Sequence, residues 1–173
     1  EILLSSENGR ACRFHETDVR TTGRVSRGVR GINLLNAEGE TESRVVAMTV
    51  ADPQADLLVV TARGMGKRTH ISDYRKTRRG SKGVISIRLK EGDQVVTALQ
   101  VASEDEILIT TINGQMVRTS VEHVRCIGRS SKGVRVIRLR EDDAINSVSH
   151  VQEMESEEND KPPTEEGQAD TAA

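Results

Sequence analysis

The sequence predicts an all-β chain, organised as a β-pinwheel or propeller-like array of four-stranded blades. Similar segments recur at spacings of 55 and 50 residues, around the turns Asn8-Gly9, Arg63-Gly64 and Asn113-Gly114. Each turn is flanked by short β-branched runs, and no segment has the periodicity of a helix. A fixed period of about fifty residues is typical of propellers and repeat arrays.

The first two strands of each repeat are predicted to form a hairpin. Asn-Gly is the strongest short hairpin signal, because both central residues of a type I′ turn need positive φ. Arg63-Gly64 is a weaker version of this signal. The predicted strands are 2–6 and 10–14 in the first repeat, 57–61 and 67–71 in the second, and 107–111 and 115–120 in the third.

The third and fourth strands of each repeat follow a longer loop. In the second repeat, alternation over residues 84–89 places the apolar side chains on one face. The predicted third and fourth strands are 29–34 and 45–50, 84–89 and 95–101, and 134–139 and 145–151. Glycine and acidic residues connect them.

These repeats divide the chain into blades at about 1–54, 55–104 and 105–151. Ordinary propellers have about four to eight blades, so we expect the chain to be a piece of a longer protein. An open solenoid of three units is the alternative architecture.

Charge is distributed unevenly along the chain. The net charge of −2 divides into −7 for residues 152–173, which contain eight acids and one base, and +5 for the rest. The acidic segment is poor in apolar residues, and we predict a disordered tail. It acts either as a solubilising terminus or as a regulatory segment.

The loop between the second and third strands concentrates cations in every repeat. We define the first, second and third basic loops as residues 18–28, 73–83 and 123–133. The candidate phosphate contacts are Arg24, Arg27, Arg75, Arg78, Arg79, Lys82, Arg129 and Lys132. Cations recurring at matched positions would form a curved band that neutralises phosphates and releases counterions. We also expect the loop glycines to donate their N–H groups to phosphate oxygens. A solvated loop without a ligand is the alternative.

Aromatic residues are nearly absent, with one Phe, one Tyr and no Trp. Proteins that bind single strands depend on aromatic stacking, so this composition favours duplex DNA that is held by its backbone and bent. Sequence specificity is expected to be low. A propeller scaffold that binds proteins is the alternative from another class, although such propellers repeat aromatic signatures.

Catalytic and metal-binding motifs are not expected in this chain. Cys12 and His15, and likewise His123 and Cys126, have zinc-like spacing but occupy non-equivalent repeat positions. We therefore predict no metal site, and two distant cysteines fit a reduced cytoplasmic setting. Tyr74 aligns with valines in the other repeats and is predicted to be a packing residue.

A third set of arginines recurs on the predicted second strands. They are Arg13, Arg68 and Arg118. We expect them to pair with acids inside the fold rather than to bind a ligand.

The second basic loop contains a recognisable motif. At five of seven positions, Thr77-Arg78-Arg79-Gly80-Ser81-Lys82-Gly83 resembles the Gln-Arg-Arg-Gly-Gly-Lys-Gly box of the DNA gyrase A subunit. The strand-turn-strand segment 107–119 and the loop 128–134 also resemble the C-terminal domain of that protein. This resemblance covers about residues 1–151. It implies a six-bladed β-pinwheel whose blades exchange strands, with this chain as the last three blades plus the acidic tail.

The departures from the box locate the motif within that domain. In the family the intact box belongs to the first blade, and later blades carry degenerate copies. Thr77 and Ser81 replace Gln and Gly here, so the resemblance implies a later blade.

The resemblance also implies a function. The domain would wrap duplex DNA and present a neighbouring segment for ATP-dependent strand passage, which introduces negative supercoils. Its partners would be DNA, the gyrase A N-terminal domain and gyrase B in a cytoplasmic, nucleoid-associated A2B2 holoenzyme. This chain would perform no bond chemistry and hold no cofactor, since ATP and Mg²⁺ would bind elsewhere in the enzyme. The corresponding domain of topoisomerase IV is the nearer alternative. A separate hypothesis, independent of the resemblance, is that the acidic residues 153–170 compete with DNA for the basic loops.

Overall fold

The computed structural model describes residues 1–41 and 43–151, so the predicted tail lies outside the described residues. This part of the chain contains β-strands and three one-turn 3₁₀ segments, which confirms the all-β fold class. The strands are β1 (Ile2–Ser6), β2 (Arg10–Phe14), β3 (Val45–Val50), β4 (Asp56–Thr61), β5 (Met65–His70), β6 (Val84–Ile85), β7 (Val95–Val101), β8 (Glu106–Thr111), β9 (Met116–Ser120), β10 (Val134–Arg135) and β11 (Ile145–His150). The 3₁₀ turns are Glu16–Asp18, Ile71–Asp73 and Val121–His123.

The strands form three antiparallel sheets that share strands between repeats. Their orders are β3-β1-β2-β6, β10-β5-β4-β7 and β11-β8-β9. In β6, Val84 pairs with Ala11 of the first repeat. In β10, Val134 pairs with Gly66 of the second repeat. The second and third repeats therefore each give their third strand to the sheet of the preceding repeat, as the resemblance to a pinwheel implied.

The predictions of the third strands are wrong. Two of these strands are shorter than predicted, and one does not form. β6 and β10 are two residues long rather than six. Beyond β6, the N–H groups of Ser86 and Ile87 both donate to Gly9 O in the hairpin turn, one residue before β2 begins. No strand forms over residues 29–34. Among the described residues, no preceding repeat is present to offer this segment a partner strand.

Two hydrophobic clusters lie between successive sheets, and β4 contributes to both. Leu57 and Val59 pack into the cluster shared with the first sheet. Leu58 and Val60 point to the opposite face and pack into the cluster shared with the third sheet. All four residues are at most 1% exposed. This burial on both faces explains why the strand is continuously apolar rather than alternating.

The predicted type I′ geometry of the hairpin turns is wrong: only the glycine of each pair has positive φ, and Asp142 is the single non-glycine residue with positive φ among the described residues. Two of these turns are covered by the next repeat. Gly9 has φ of 78°, and a Cβ there would lie 2.6 Å from Ile87 O. Gly64 has φ of 79°, and a Cβ there would lie 2.9 Å from Ile137 O. Gly114 also has positive φ, but no atom lies within 4 Å of its Cβ position. The described part of the chain therefore leaves the third hairpin uncovered.

No helix within residues 1–41 and 43–151 has the length and apolar character required to cross a bilayer.

Candidate nucleic-acid interface

The eight candidate phosphate contacts divide into two groups by exposure. Arg79 and Arg129 are half-buried. The remaining six are exposed: Arg24, Arg27, Arg75, Arg78, Lys82 and Lys132. Solvent access therefore supports a ligand-binding role for these six more directly than for the other two.

Arg79 and Arg129 anchor their loops to the preceding repeat. Arg79 donates through Nη1 to Arg30 O, and Arg129 donates through Nη1 to Ile85 O at 3.2 Å. These two carbonyls occupy equivalent positions, 55 residues apart. Arg79 also donates through Nε to Asp18 O at 3.1 Å. The guanidinium, with several donors in one plane, suits this bridging role.

The backbone of the basic loops is held by equally regular contacts. Asn33 N donates to Ser81 O, and the equivalent Arg88 N donates to Ser131 O, at 2.8 and 2.9 Å. The loops therefore have matching positions at the first and second junctions between repeats. Such regularity is what a continuous band of exposed cations requires.

In the second basic loop, the glycines use their N–H groups inside the fold, contrary to the expectation from sequence. Gly80 N donates to Gly31 O at 2.7 Å, and Gly83 N donates to Ser81 Oγ at 3.3 Å. Their backbone donors are used inside the fold. Phosphate recognition at this loop would therefore depend on side chains.

A buried side chain lies beneath each of two basic loops. Beneath the second loop, the Cys12 Sγ lies 3.2 Å from Ser81 Oγ. Beneath the third, the fully buried Lys67 donates through Nζ to Gly128 O and Arg129 O, at 2.9 and 2.5 Å. Burial, reinforced by the Arg129 charge, lowers the pKa of Lys67 to about 8. Sequence analysis missed this role, because a single lysine on a strand resembles a solvent-facing residue.

The lowered pKa of Lys67 predicts an unusual alkaline dependence of stability. Between pH 8 and 10 the unfolded chain binds more protons at this lysine than the folded chain, so the contribution of Lys67 to stability rises with pH, against opposite contributions from Tyr74 and Cys126, whose pKa values are raised. We expect a gain of about 2 kcal/mol over this range, from the relation between pKa shift and free energy. Denaturant unfolding at each pH measures it. In Lys67→Met this gain should be absent; a gain of equal size would assign it to another group.

The recurring strand arginines pair with acids, as predicted. Arg13 Nε lies 2.5 Å from Glu1 Oε2, and Arg68 Nη1 lies 3.3 Å from Asp56 Oδ2. The third pair, Arg118 with Glu106, occupies the equivalent position.

Two of these arginines also reach the next repeat. Arg13 donates to Tyr74 O at 3.2 Å, and Arg68 donates to the equivalent Val124 O at 2.8 Å. These residues connect successive sheets, and their guanidinium groups are occupied.

Tyr74 is a packing residue, as predicted. Its side chain is fully buried in the cluster between the first two sheets. Its hydroxyl forms a hydrogen bond with Ser86 Oγ at 2.9 Å, and burial raises its pKa. A buried, protonated phenol is unsuited to act as a nucleophile.

The chain is similar in sequence to known proteins. The chain matches the family model described as "DNA gyrase C-terminal domain, beta-propeller" over residues 1–50, 55–102 and 105–152. It is 35% identical over 105 residues to the DNA gyrase A protein of Ureaplasma parvum, covering 61% of this chain and 12% of that protein. It is 37% identical over 129 residues to the DNA gyrase A protein of Haemophilus influenzae, covering 61% of this chain and 15% of that protein.

A solved structure shows the same fold. The C-terminal domain of DNA topoisomerase IV gives a TM-score of 0.78 at 24% identity, covering 87% of this chain and 46% of that one. The curated relatives are much longer than this chain, which spans 12% and 15% of the two named above.

Proposed function

Because the chain belongs to the DNA gyrase C-terminal domain family, we propose that it binds duplex DNA and bends it along the three basic loops. The exposed cations of the loops would contact the phosphates of successive helical segments. The carrying observation is that equivalent contacts hold the second and third loops in place at successive junctions while several of their cations remain exposed.

The electrostatics of the loops support backbone binding rather than base recognition. Phosphate contacts position a protein on a duplex but carry no direct sequence information. Lys82 and Lys132 are exposed at equivalent positions of successive loops, and Arg27 occupies the same position in the first. A duplex following these three points would contact one similar cation per repeat. Any preference for particular DNA sequences would arise from how easily each of them bends.

Within the basic loops, we assign different tasks to neighbouring cations. Arg79 and Arg129 hold the loops against the preceding repeat through backbone carbonyls. Lys82, Arg78 and Arg75 are exposed, and we assign them to phosphate contact. This assignment narrows the set proposed from sequence, which placed Arg79 and Arg129 among the phosphate contacts.

For the whole protein, we propose the role of the gyrase A protein, because the similar curated proteins carry that name. The wrapped duplex would present a segment for ATP-dependent strand passage, carried out by an N-terminal cleavage domain together with gyrase B. This chain would supply geometry and charge to that reaction. ATP and Mg²⁺ would act elsewhere in an A2B2 assembly.

The proposal is tested by the salt dependence of duplex binding. We expect the triple variant Arg75→Ala, Arg78→Ala, Lys82→Ala to bind more weakly. Its log–log salt slope should be shallower by about 2.7, at about 0.9 for each phosphate that is no longer neutralised. Fluorescence anisotropy with the full-length protein and a labelled duplex measures both quantities over a range of salt concentrations.

A matched control separates local binding from net charge. Lys90, Arg138 and Arg140 are exposed and lie outside the basic loops. Their triple alanine variant removes the same charge, and we expect it to change the slope far less. Equal changes in the two variants, or a flat salt response of the parent protein, would contradict binding through the basic loops.

A further inference from the structure

We propose that Asp56, His70 and Cys126 form a zinc-binding site at the junction of the second and third repeats. His70 Nδ1 lies 2.6 Å from Asp56 Oδ1, and Cys126 Sγ lies 3.6 Å from His70 Nε2. One ligand atom from each residue lies within 4.8 Å of the other two. This proposal is independent of DNA binding.

Strand pairing brings the three residues together. Asp56 begins β4 and pairs directly with His70, the last residue of β5. Cys126 comes from the third basic loop, where it forms a parallel bridge with Arg68. Arg68 N donates to Arg125 O, and Ile127 N donates to Arg68 O, at 3.0 and 2.9 Å. Backbone hydrogen bonds therefore hold the thiol beside the other two groups.

The ligand chemistry fits zinc. A thiolate, an imidazole and a carboxylate are the three side-chain types that bind Zn²⁺, at about 2.0–2.3 Å. Asp56 and Cys126 together would supply two negative charges, one of which is shared with the Arg68 guanidinium. The His70 side chain is 62% exposed, which leaves room for a water molecule in the fourth position. Residues Asp56 and His70 also line an open cleft that provides an entry path.

Binding requires the exposed imidazole to reorient, because it faces Asp56 through Nδ1 and Cys126 through Nε2, whereas a single nitrogen must bind the ion. Two ligands of one tetrahedral ion at about 2.1 Å lie roughly 3.4 Å apart, so the Asp56–His70 hydrogen bond would open. The exposed imidazole can move by this amount. The other oxygen of Asp56 lies 3.3 Å from Arg68 Nη1, which keeps the carboxylate oriented. Zn²⁺ would displace the thiol proton, and the neutral imidazole would bind through the nitrogen that carries no proton.

The preceding junction contains a natural comparison for this site. Glu1, His15 and Lys76 occupy the positions equivalent to Asp56, His70 and Cys126. There Lys76 Nζ lies 2.7 Å from Glu1 Oε1, so a lysine ammonium takes the position of the thiol. Together with Arg13, this ammonium lowers the pKa of Glu1 to about 2. The fold therefore accepts a lysine at this position, where it forms an ion pair instead of a metal site.

The test uses Co²⁺ as a spectroscopic substitute for Zn²⁺ in the full-length protein. We expect a sulfur-to-cobalt charge-transfer band that is displaced by Zn²⁺, at one ion per chain. Cys126→Lys should lose the band while keeping the fold, because the new ammonium can pair with Asp56 as Lys76 does with Glu1. His70→Gln should weaken Co²⁺ binding and alter the remaining band.

Thermal unfolding provides a second readout of the site. Zn²⁺ should raise the melting temperature of the parent protein and leave that of Cys126→Lys unchanged, since a ligand that binds only the folded state stabilises it. Circular dichroism of the metal-depleted proteins establishes that the variant is folded. An absent band in the parent, or a band of unchanged intensity in Cys126→Lys, would overturn the proposal.

Discussion

Replacing Arg68 with methionine is expected to lower the free energy of unfolding by about 3–5 kcal/mol, the usual cost of removing one partner of a buried ion pair. The Arg68 side chain is 10% exposed, as is that of Asp56. It also donates to Val124 O at 2.8 Å and to Ser103 Oγ at 2.9 Å. Methionine would leave a buried carboxylate and a carbonyl of the next repeat without this donor. Equilibrium unfolding in urea measures the loss.

The chain supplies its own control for this prediction. Arg118 occupies the same position in the third repeat and pairs with Glu106, but its side chain is 53% exposed. Exposed ion pairs contribute about 0–1 kcal/mol, so Arg118→Met should have a small effect. Similar losses in the two variants would show that the hydrogen bonds to the next repeat contribute little.

The sequence predicted most strand positions, because each repeat buries its strands in the same way. The predicted bounds 45–50 and 95–101 coincide with β3 and β7. The sheet to which a third strand belongs could not be predicted from the residues alone. The alternation of residues 84–89 shows which face of this segment is apolar. That pattern is the same whichever sheet provides the partner strand. Only the resemblance to a strand-exchanging family implied the exchange.

The sequence predicted which loops contain the candidate cations, but not which of these cations contact the fold and which face solvent. Recurrence selected Arg79 and Arg129 as readily as Lys82 and Lys132, because a structural contact between repeats recurs as faithfully as a ligand contact. The three-dimensional structure separates them, since the arginines donate to backbone carbonyls of the preceding repeat.

The Asp56, His70 and Cys126 cluster illustrates a second limit of sequence analysis. Zinc-like spacing within a short segment pairs Cys126 with His123, the histidine nearest to it in the chain. The structure instead places Cys126 beside His70, 56 residues earlier. Pairing between strands of one repeat and the loop of the next creates this proximity, and no local pattern records it.

Gly83→Ala is expected to weaken duplex binding without changing any charge. Gly83 has φ of 67°, and a Cβ there would lie 2.3 Å from Ala11 O. Val84, the next residue, pairs with Ala11 in the strand exchange. The substitution must therefore push the second basic loop away from β2, in addition to the strain of a positive φ. We expect a loss of about 3 kcal/mol or more in the free energy of unfolding, because strained backbone alone costs about 1–3 kcal/mol.

The matched control is Gly128→Ala, in the third basic loop. No atom lies within 4 Å of its Cβ position, and the equivalent residue of the second repeat is Arg78. This variant should be close to the parent in both stability and duplex affinity. If Gly83→Ala bound duplex DNA with parental affinity while folded but destabilised, the placement of the loop would be irrelevant and net charge alone would govern binding. A joint loss of stability and affinity, confined to Gly83→Ala, would show that strand exchange positions the DNA-binding cations.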